Sequence, residues 1–214
     1  MARWEPDARG RLEKAAMELF QERGYAGTTV EEIAARAGVT ERTFFRYFAD
    51  KREVLFSGSK VLEAWIVERI HSAPREMNTF AVVTAALEGA ATELQATRDP
   101  AFVRARYLLV SNHSEIQERE LIKLAALAAS VTKALHARGV AEPGASLAAE
   151  AGIAVFKIGF ERWVGEKKMG NFAAHIRAAA DALKTVAAEG TEPQSSRSAP
   201  QRKRARRGGD EPKR

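Results

Sequence analysis

The chain has 214 residues, 45% of them hydrophobic and 29% charged, with a net charge of +6 and no cysteine. This composition excludes disulfides and thiolate metal sites, and no stretch approaches the roughly eighteen uninterrupted apolar residues of a membrane span. The opening MARWEPDARGRLEKAAM has no basic start followed by an apolar core, so a cytoplasmic protein is expected. A first helix is predicted from Arg9 to Arg23, where Leu12, Ala15, Ala16, Leu19 and Phe20 recur at helical spacing. Gly24-Tyr25-Ala26-Gly27 then breaks it.

The next stretch, TTVEEIAARAGVTERTFFRYFADK from Thr28 to Lys51, is spelled like a helix-turn-helix. Thr29 is placed to cap a helix, Glu32 completes a capping box, and Val30, Ile33, Ala34 and Ala37 form one apolar stripe. Gly38 ends that helix, and Thr40 caps a second one with Phe44 and Phe48 inward and Glu41, Arg42, Phe45 and Arg46 outward. Two short helices around a glycine turn are the unit that lays its second helix in the major groove. Thr28, Thr29, Thr40, Thr43, Tyr47 and Lys51 are hydroxyls or a cation of the kind that hydrogen-bonds phosphate oxygens, which a plain three-helix bundle does not need.

The order of helix, GY turn, TT cap, IA-x-x-AGV and T-x-x-TFFRYF-x-x-K resembles the N-terminal domain of the TetR family of bacterial transcriptional regulators, from about Arg9 to Leu55. The resemblance implies that Thr29, Thr40, Thr43, Tyr47 and Lys51 hold the DNA backbone while Glu41, Arg42 and Phe45 face base edges. Arg42 would fork onto guanine, Glu41 accept from cytosine, and Phe45 touch a thymine methyl. Many members carry a small residue in place of Arg42 and tyrosine in place of Phe45, so sequence preference does not transfer from relatives. The resemblance also implies an operator-binding homodimer, most naturally a repressor, with a helical C-terminal domain that takes a small ligand.

Beyond Lys51 the text is helical throughout, giving an all-α chain with no credible strand. A connecting helix is expected from Asp50-Lys51 to His71, kinked at Ser57-Gly58-Ser59 and ended by Pro74. Further helices are expected at about 78–97, 99–111, 114–138, 143–168 and 171–189. The domains are then residues 1–50 for DNA, 51–189 for ligand and dimer, and a basic tail at 190–214. Residues 191–214 hold eight Lys or Arg against three acids, a balance of +5, and have too few apolar residues to fold, so a disordered tail is expected.

The last two helices are apolar over a wide arc, which calls for one partner inside the chain and one beyond it. In the penultimate helix Gly152, Val155 and Gly159 lie on a small-residue face and Trp163 on an adjoining bulky one; Ile176 and Leu183 belong to the apolar stripe of the last. The resemblance assigns these six to the dimer interface; a monomer interior is the alternative. For a ligand, Trp65, Phe102, Tyr107, Phe156 and Phe160 are the apolar candidates, with Arg106, Asn112 and His113 as polar groups to orient it. The helix texts ERELIKLAALAAS and AVFKIGFERW also resemble the actinobacterial TetR-like subgroup that includes the mycofactocin-associated regulator, which implies acyl-coenzyme A thioesters as ligands; a long-chain acyl-coenzyme A is then the first candidate effector and another aromatic or amphipathic small molecule the second.

No Gly-x-Ser-x-Gly, Walker or dinucleotide pattern occurs, and the four histidines lie on four separate helices without metal spacing. No catalytic residue, metal or cofactor is therefore expected, and no membrane partner. A ligand-free architectural DNA binder and a helical enzyme carrying a vestigial DNA module remain as other readings.

Overall fold

The computed structural model describes residues 7–189, so the expected basic tail lies outside the described residues. Within them the chain is all helical: α1 (Ala8–Arg23), α2 (Val30–Arg36), α3 (Glu41–Tyr47), a 3₁₀ turn (Glu53–Phe56), α4 (Ser59–Ser72), α5 (Thr79–Thr97), α6 (Pro100–Asn112), α7 (Ser114–Ala137), α8 (Gly144–Gly165) and α9 (Phe172–Glu189). Local chemistry starts most of them. Asp7 accepts from the Gly10 amide at 2.9 Å, Asn78 from Ala81 at 2.8 Å, and Asp99 from Ala101 at 2.9 Å with Pro100 in the first turn. The predicted capping box is complete: the Glu32 amide donates to Thr29 Oγ1 at 3.2 Å and the Thr29 amide to Glu32 Oε2 at 2.9 Å.

The connecting helix is broken rather than kinked. The Asp50 carboxylate takes the Arg52 and Glu53 amides at 2.8 and 3.0 Å, which winds a separate 3₁₀ turn, and α4 starts afresh at Ser59. Arg138 fixes the other end of α4 by donating to the carbonyls of Ile70, Ala73 and Pro74 at 2.7–3.0 Å.

Two hydrophobic cores result. The first joins Leu12, Phe20, Tyr25, Ile33 and Phe44 of the head to Val54, Leu55 and Phe56 of the 3₁₀ turn, and to Val110 and Ile116 from α6 and α7. The head's packing thus runs past the expected boundary at residue 50. The second core is made by α4, α5, α7, α8 and α9 around Ile66, Ile70, Leu87, Leu135, Trp163 and Phe172. No helix among the described residues is long and apolar enough to cross a membrane.

Candidate DNA-reading head and ligand cavity

The turn between α2 and α3 depends on Gly38, whose φ of +68° few side-chain-bearing residues adopt, and Val39 closes it by donating to Ala34 at 2.9 Å. Thr40 accepts the Thr43 amide at 3.2 Å, setting the start of α3. Phe44 and Phe48 are buried beneath the helix, as their spacing predicts. Glu41, Arg42, Phe45, Arg46 and Tyr47 face outward, with Phe45 54% exposed. Arg46 lies over the Tyr47 ring at 5.0 Å and donates to its hydroxyl at 3.3 Å, so two outward groups are held together.

Two expected phosphate contacts occupy other positions. Thr28 is buried, and its hydroxyl donates to the Gly24 carbonyl at 2.9 Å and reaches that of Leu19 at 3.3 Å. It is therefore removed from the DNA-contacting set; it locks the corner between α1 and α2. Lys51 Nζ donates to the carbonyls of Tyr25 at 2.8 Å and Thr28 at 2.9 Å, leaving one of an ammonium's three N–H groups for a phosphate. Its first role is as a brace. Thr29 and Thr40 are exposed but also serve as caps, so each hydroxyl has a structural duty.

The second site is a cavity of about 320 Å³ between the 3₁₀ turn, α4, the end of α5, α6, α7 and α8. Four of the eight expected ligand residues line it, namely Phe102, Arg106, Phe156 and Phe160. The other four do not. Trp65 packs half-buried against the second core, and Tyr107 stands edge-on behind Phe160 at 6.0 Å. Asn112 is exposed at the end of α6, and His113 rests 5.3 Å from the Tyr25 ring at the junction with the head. Sequence reasoning missed the charged wall formed by Arg98, Arg119, Glu120 and Lys123, because ERELIKL on α7 has the charge pattern of a solvent-facing helix. Arg106 is no free head-group receptor: it donates to the Leu55 carbonyl at 2.7 Å and pairs with Glu120 at 3.3 Å.

Glu53 joins the two sites. Its carboxylate pairs with Arg119 through one oxygen and with Lys123 at 3.0 Å through the other. Burial pushes its pKa up, but the hydrogen bonds and charges of Arg119 and Lys123 outweigh burial and hold it below the ordinary carboxylate value. Burial likewise pushes the Tyr25 phenol up to about 12, with the Glu115 charge adding to it, so the ring beneath Lys51 stays neutral.

The expected dimer residues are mostly spent inside the chain. Val155, Trp163 and Ile176 are 2%, 1% and 0% exposed. A Cβ on Gly152 would stand 2.5 Å from Val83 of α5, and one on Gly159 would stand 2.9 Å from Ile176 and 3.2 Å from the His175 carbonyl of α9. The small-residue face therefore lets α5 and α9 of the same chain approach, and Leu183 is half-buried on that side. The outward apolar positions are Leu147 and Ile158 on α8 and Val186 on α9, 66%, 46% and 66% exposed, with Ala154, Ala178 and Ala182 exposed between them.

The described residues thus form a capped helix-turn-helix with an outward α3, joined to a helical domain that holds a cavity. Residues 12–57 match the family of bacterial regulatory proteins of the tetR type. The regulator TcmR of Streptomyces glaucescens is 36% identical over 78 residues, 36% of this chain and 34% of TcmR. The fatty acid metabolism regulator protein of Bacillus subtilis is 35% identical over 65 residues, 30% of this chain and 34% of that protein. The matched stretch thus spans about a third of either relative. FadR of Thermus thermophilus, a TetR-family repressor solved with lauroyl-CoA, superposes over 89% of this chain and 98% of its own with a TM-score of 0.51 at 22% identity, a likeness of fold.

Proposed function

We propose that the protein is a homodimeric, ligand-responsive regulator, acting as a repressor, that grips a two-fold-symmetric operator and releases it when an amphipathic molecule enters the cavity. The observation that carries this reading is that one segment serves both sites: Leu55 and Phe56 belong to the core of the DNA-reading head and also line the cavity. A ligand that changes the cavity's shape must move that segment, and α4, held at its far end by Arg138, is the lever. By linkage, the ligand weakens operator binding by the same factor that DNA weakens ligand binding, typically ~1–3 kcal/mol.

The outward residues of α3 supply the reading face, with Arg42 and Glu41 for base edges, Phe45 for a thymine methyl, and Thr43, Arg46 and Tyr47 near the backbone. The dimer face is the outer side of α8 and α9 at Leu147, Ala154, Ile158, Ala178, Ala182 and Val186, apolar positions left exposed among the described residues. A two-fold dimer there would present two copies of α3 to half-sites about 34 Å apart. Long-chain acyl-CoA is the first candidate effector: the wall of Leu62, Leu94, Phe102, Leu124, Phe156 and Phe160 suits an acyl chain, and a charged rim suits its head. The lauroyl-CoA complex of the FadR with the same fold supports that choice. An architectural binder would have no use for the cavity.

The test is selection of bound sequences from random duplex DNA, then titration of the selected complex with acyl-CoA of increasing chain length. A recovered palindrome and release that grows with chain length are expected. Recovery of no sequence preference would overturn the regulator reading, and release by unrelated compounds alone would replace the effector.

A further inference from the structure

We propose that the cavity senses the anionic group of its ligand by charge competition: the anion takes Arg98, Arg119 and Lys123 away from Glu13 and Glu53 of the DNA-reading head. This deepens the reading above and rests on it. The cavity wall carries five cationic side chains against two carboxylates. Two of those cations are neutralised within the wall itself, Lys60 by Glu63 at 2.8 Å and Arg106 by Glu120 at 3.3 Å. The remaining three are each paired across to the head. Arg98 meets Glu13 of α1 at 3.2 Å, and Arg119 and Lys123 share the two oxygens of Glu53 on the 3₁₀ turn.

These ties are more than solvated surface pairs. The cationic side chains are 32%, 33% and 26% exposed, and the Glu13 and Glu53 side chains only 13% and 17%, so water screens them incompletely. Arg98 also lies against Gly58, the break between the 3₁₀ turn and α4, where its guanidinium nitrogen would stand 3.0 Å from an added Cβ. The cavity cations therefore hold the head at its first helix, at its last turn and beside the hinge.

A carboxylate or phosphate entering the rim is a direct rival for the same donors, because guanidinium groups accept either anion with forked geometry. Once their cations turn to the ligand, Glu53 is left largely buried without its partners and Glu13 keeps only Arg9 at 3.4 Å, and the head gains by moving both toward water. A neutral ligand of the same apolar shape fills the cavity without touching these pairs. Since a ligand shifts an equilibrium only by its differential interaction with the two states, the acyl chain supplies affinity, so that release at a given concentration grows with its length, and the anion carries the signal.

The probes are laurate, lauroyl-CoA and 1-dodecanol, which share a twelve-carbon chain and offer a carboxylate, phosphates and a hydroxyl. Binding to the full chain is measured by calorimetry, and release of the selected operator by fluorescence anisotropy. At matched occupancy, laurate or lauroyl-CoA should weaken operator binding by roughly 5–150-fold, the ordinary range of allosteric coupling, and dodecanol should leave it nearly unchanged. Whichever of the two anions acts identifies the carboxylate or the phosphates as the signal. Glu53→Gln and, separately, Glu13→Gln should bind the active anion several-fold more tightly and operator more weakly, because a competitor for the cations has been removed. Equal release by dodecanol, binding of neither anion, or unchanged anion affinity in the folded variants would overturn the proposal. The dodecanol comparison uses the unaltered protein, so it decides even if both variants unfold. A protein that selects no DNA sequence would instead sink the regulator reading itself.

Discussion

Lys51 Nζ donates to the main-chain carbonyl of Tyr25 at 2.8 Å and stands 4.4 Å from the centre of the same residue's ring. One ammonium thus ties the start of the linker to the corner that orients α2, and with it α3. Lys51→Ala should lower stability by about 1–3 kcal/mol, the range for losing hydrogen bonds to a charged group, and should weaken binding to all DNA sequences alike. Urea unfolding followed through the secondary structure checks the first effect. Unchanged stability with a smaller salt slope of DNA binding would return Lys51 to a simple phosphate contact.

Arg42 is exposed on the outward face of α3. Arg42→Ala should relax the preference at one base pair in each half-site at a cost of about 1–3 kcal/mol there, leaving protein stability as it was. Selection from random DNA with the variant reads this out. An unchanged motif would assign the specificity to Glu41 and Phe45.

Two substitutions one residue apart separate the inner and outer faces of α8. Ile158→Glu places a charge on the exposed face and should give folded monomers by light scattering. Gly159→Leu drives a side chain into Ile176 and the His175 carbonyl, so it should lower the melting temperature by forcing α8 and α9 apart. A dimer that survives Ile158→Glu would move the interface to another surface.

Glu53 provides a pH dependence. Its carboxylate is held below its ordinary value when folded, so its contribution to stability is complete above the unfolded-state pKa of about 4.3 and is lost as pH falls through the lowered value. Thermal melting between neutral pH and strong acid should therefore show a shallower acid limb in Glu53→Gln than in the unaltered chain. Identical slopes would mean that the Arg119 and Lys123 pairs add little to folding.

The head was readable from sequence because its determinants are local. Thr29 and Glu32, Gly38 and Thr40 each act within a few residues, and the structure has their capping and turn bonds as the spacing predicts. The failures are long-range. Thr28 looks like another exposed hydroxyl until α1 folds back and buries it. Gly152 and Gly159 announce a close helix approach, yet their spacing does not say whose helix approaches, and it is α5 and α9 of the same chain. The cations of α7 read as a solvated face, because their partner Glu53 lies far back in the sequence, 66 residues from Arg119 and 70 from Lys123.

The ring ladder of the second domain has a use beyond packing. Trp163 is buried with its indole stacked on Phe172 at 4.5 Å and its Nε1 donating to the Gly170 carbonyl at 2.9 Å, and it stands 6.0 Å from Phe160, a wall of the cavity. Trp65, the other tryptophan among the described residues, is half-buried on α4, the helix proposed as the lever. Two of the chain's three tryptophans therefore stand at the two ends of the coupling: with Trp4 and one of the pair replaced by Phe, the emission of Trp163 would report what enters the cavity, and that of Trp65 the movement of α4, without any dye or label.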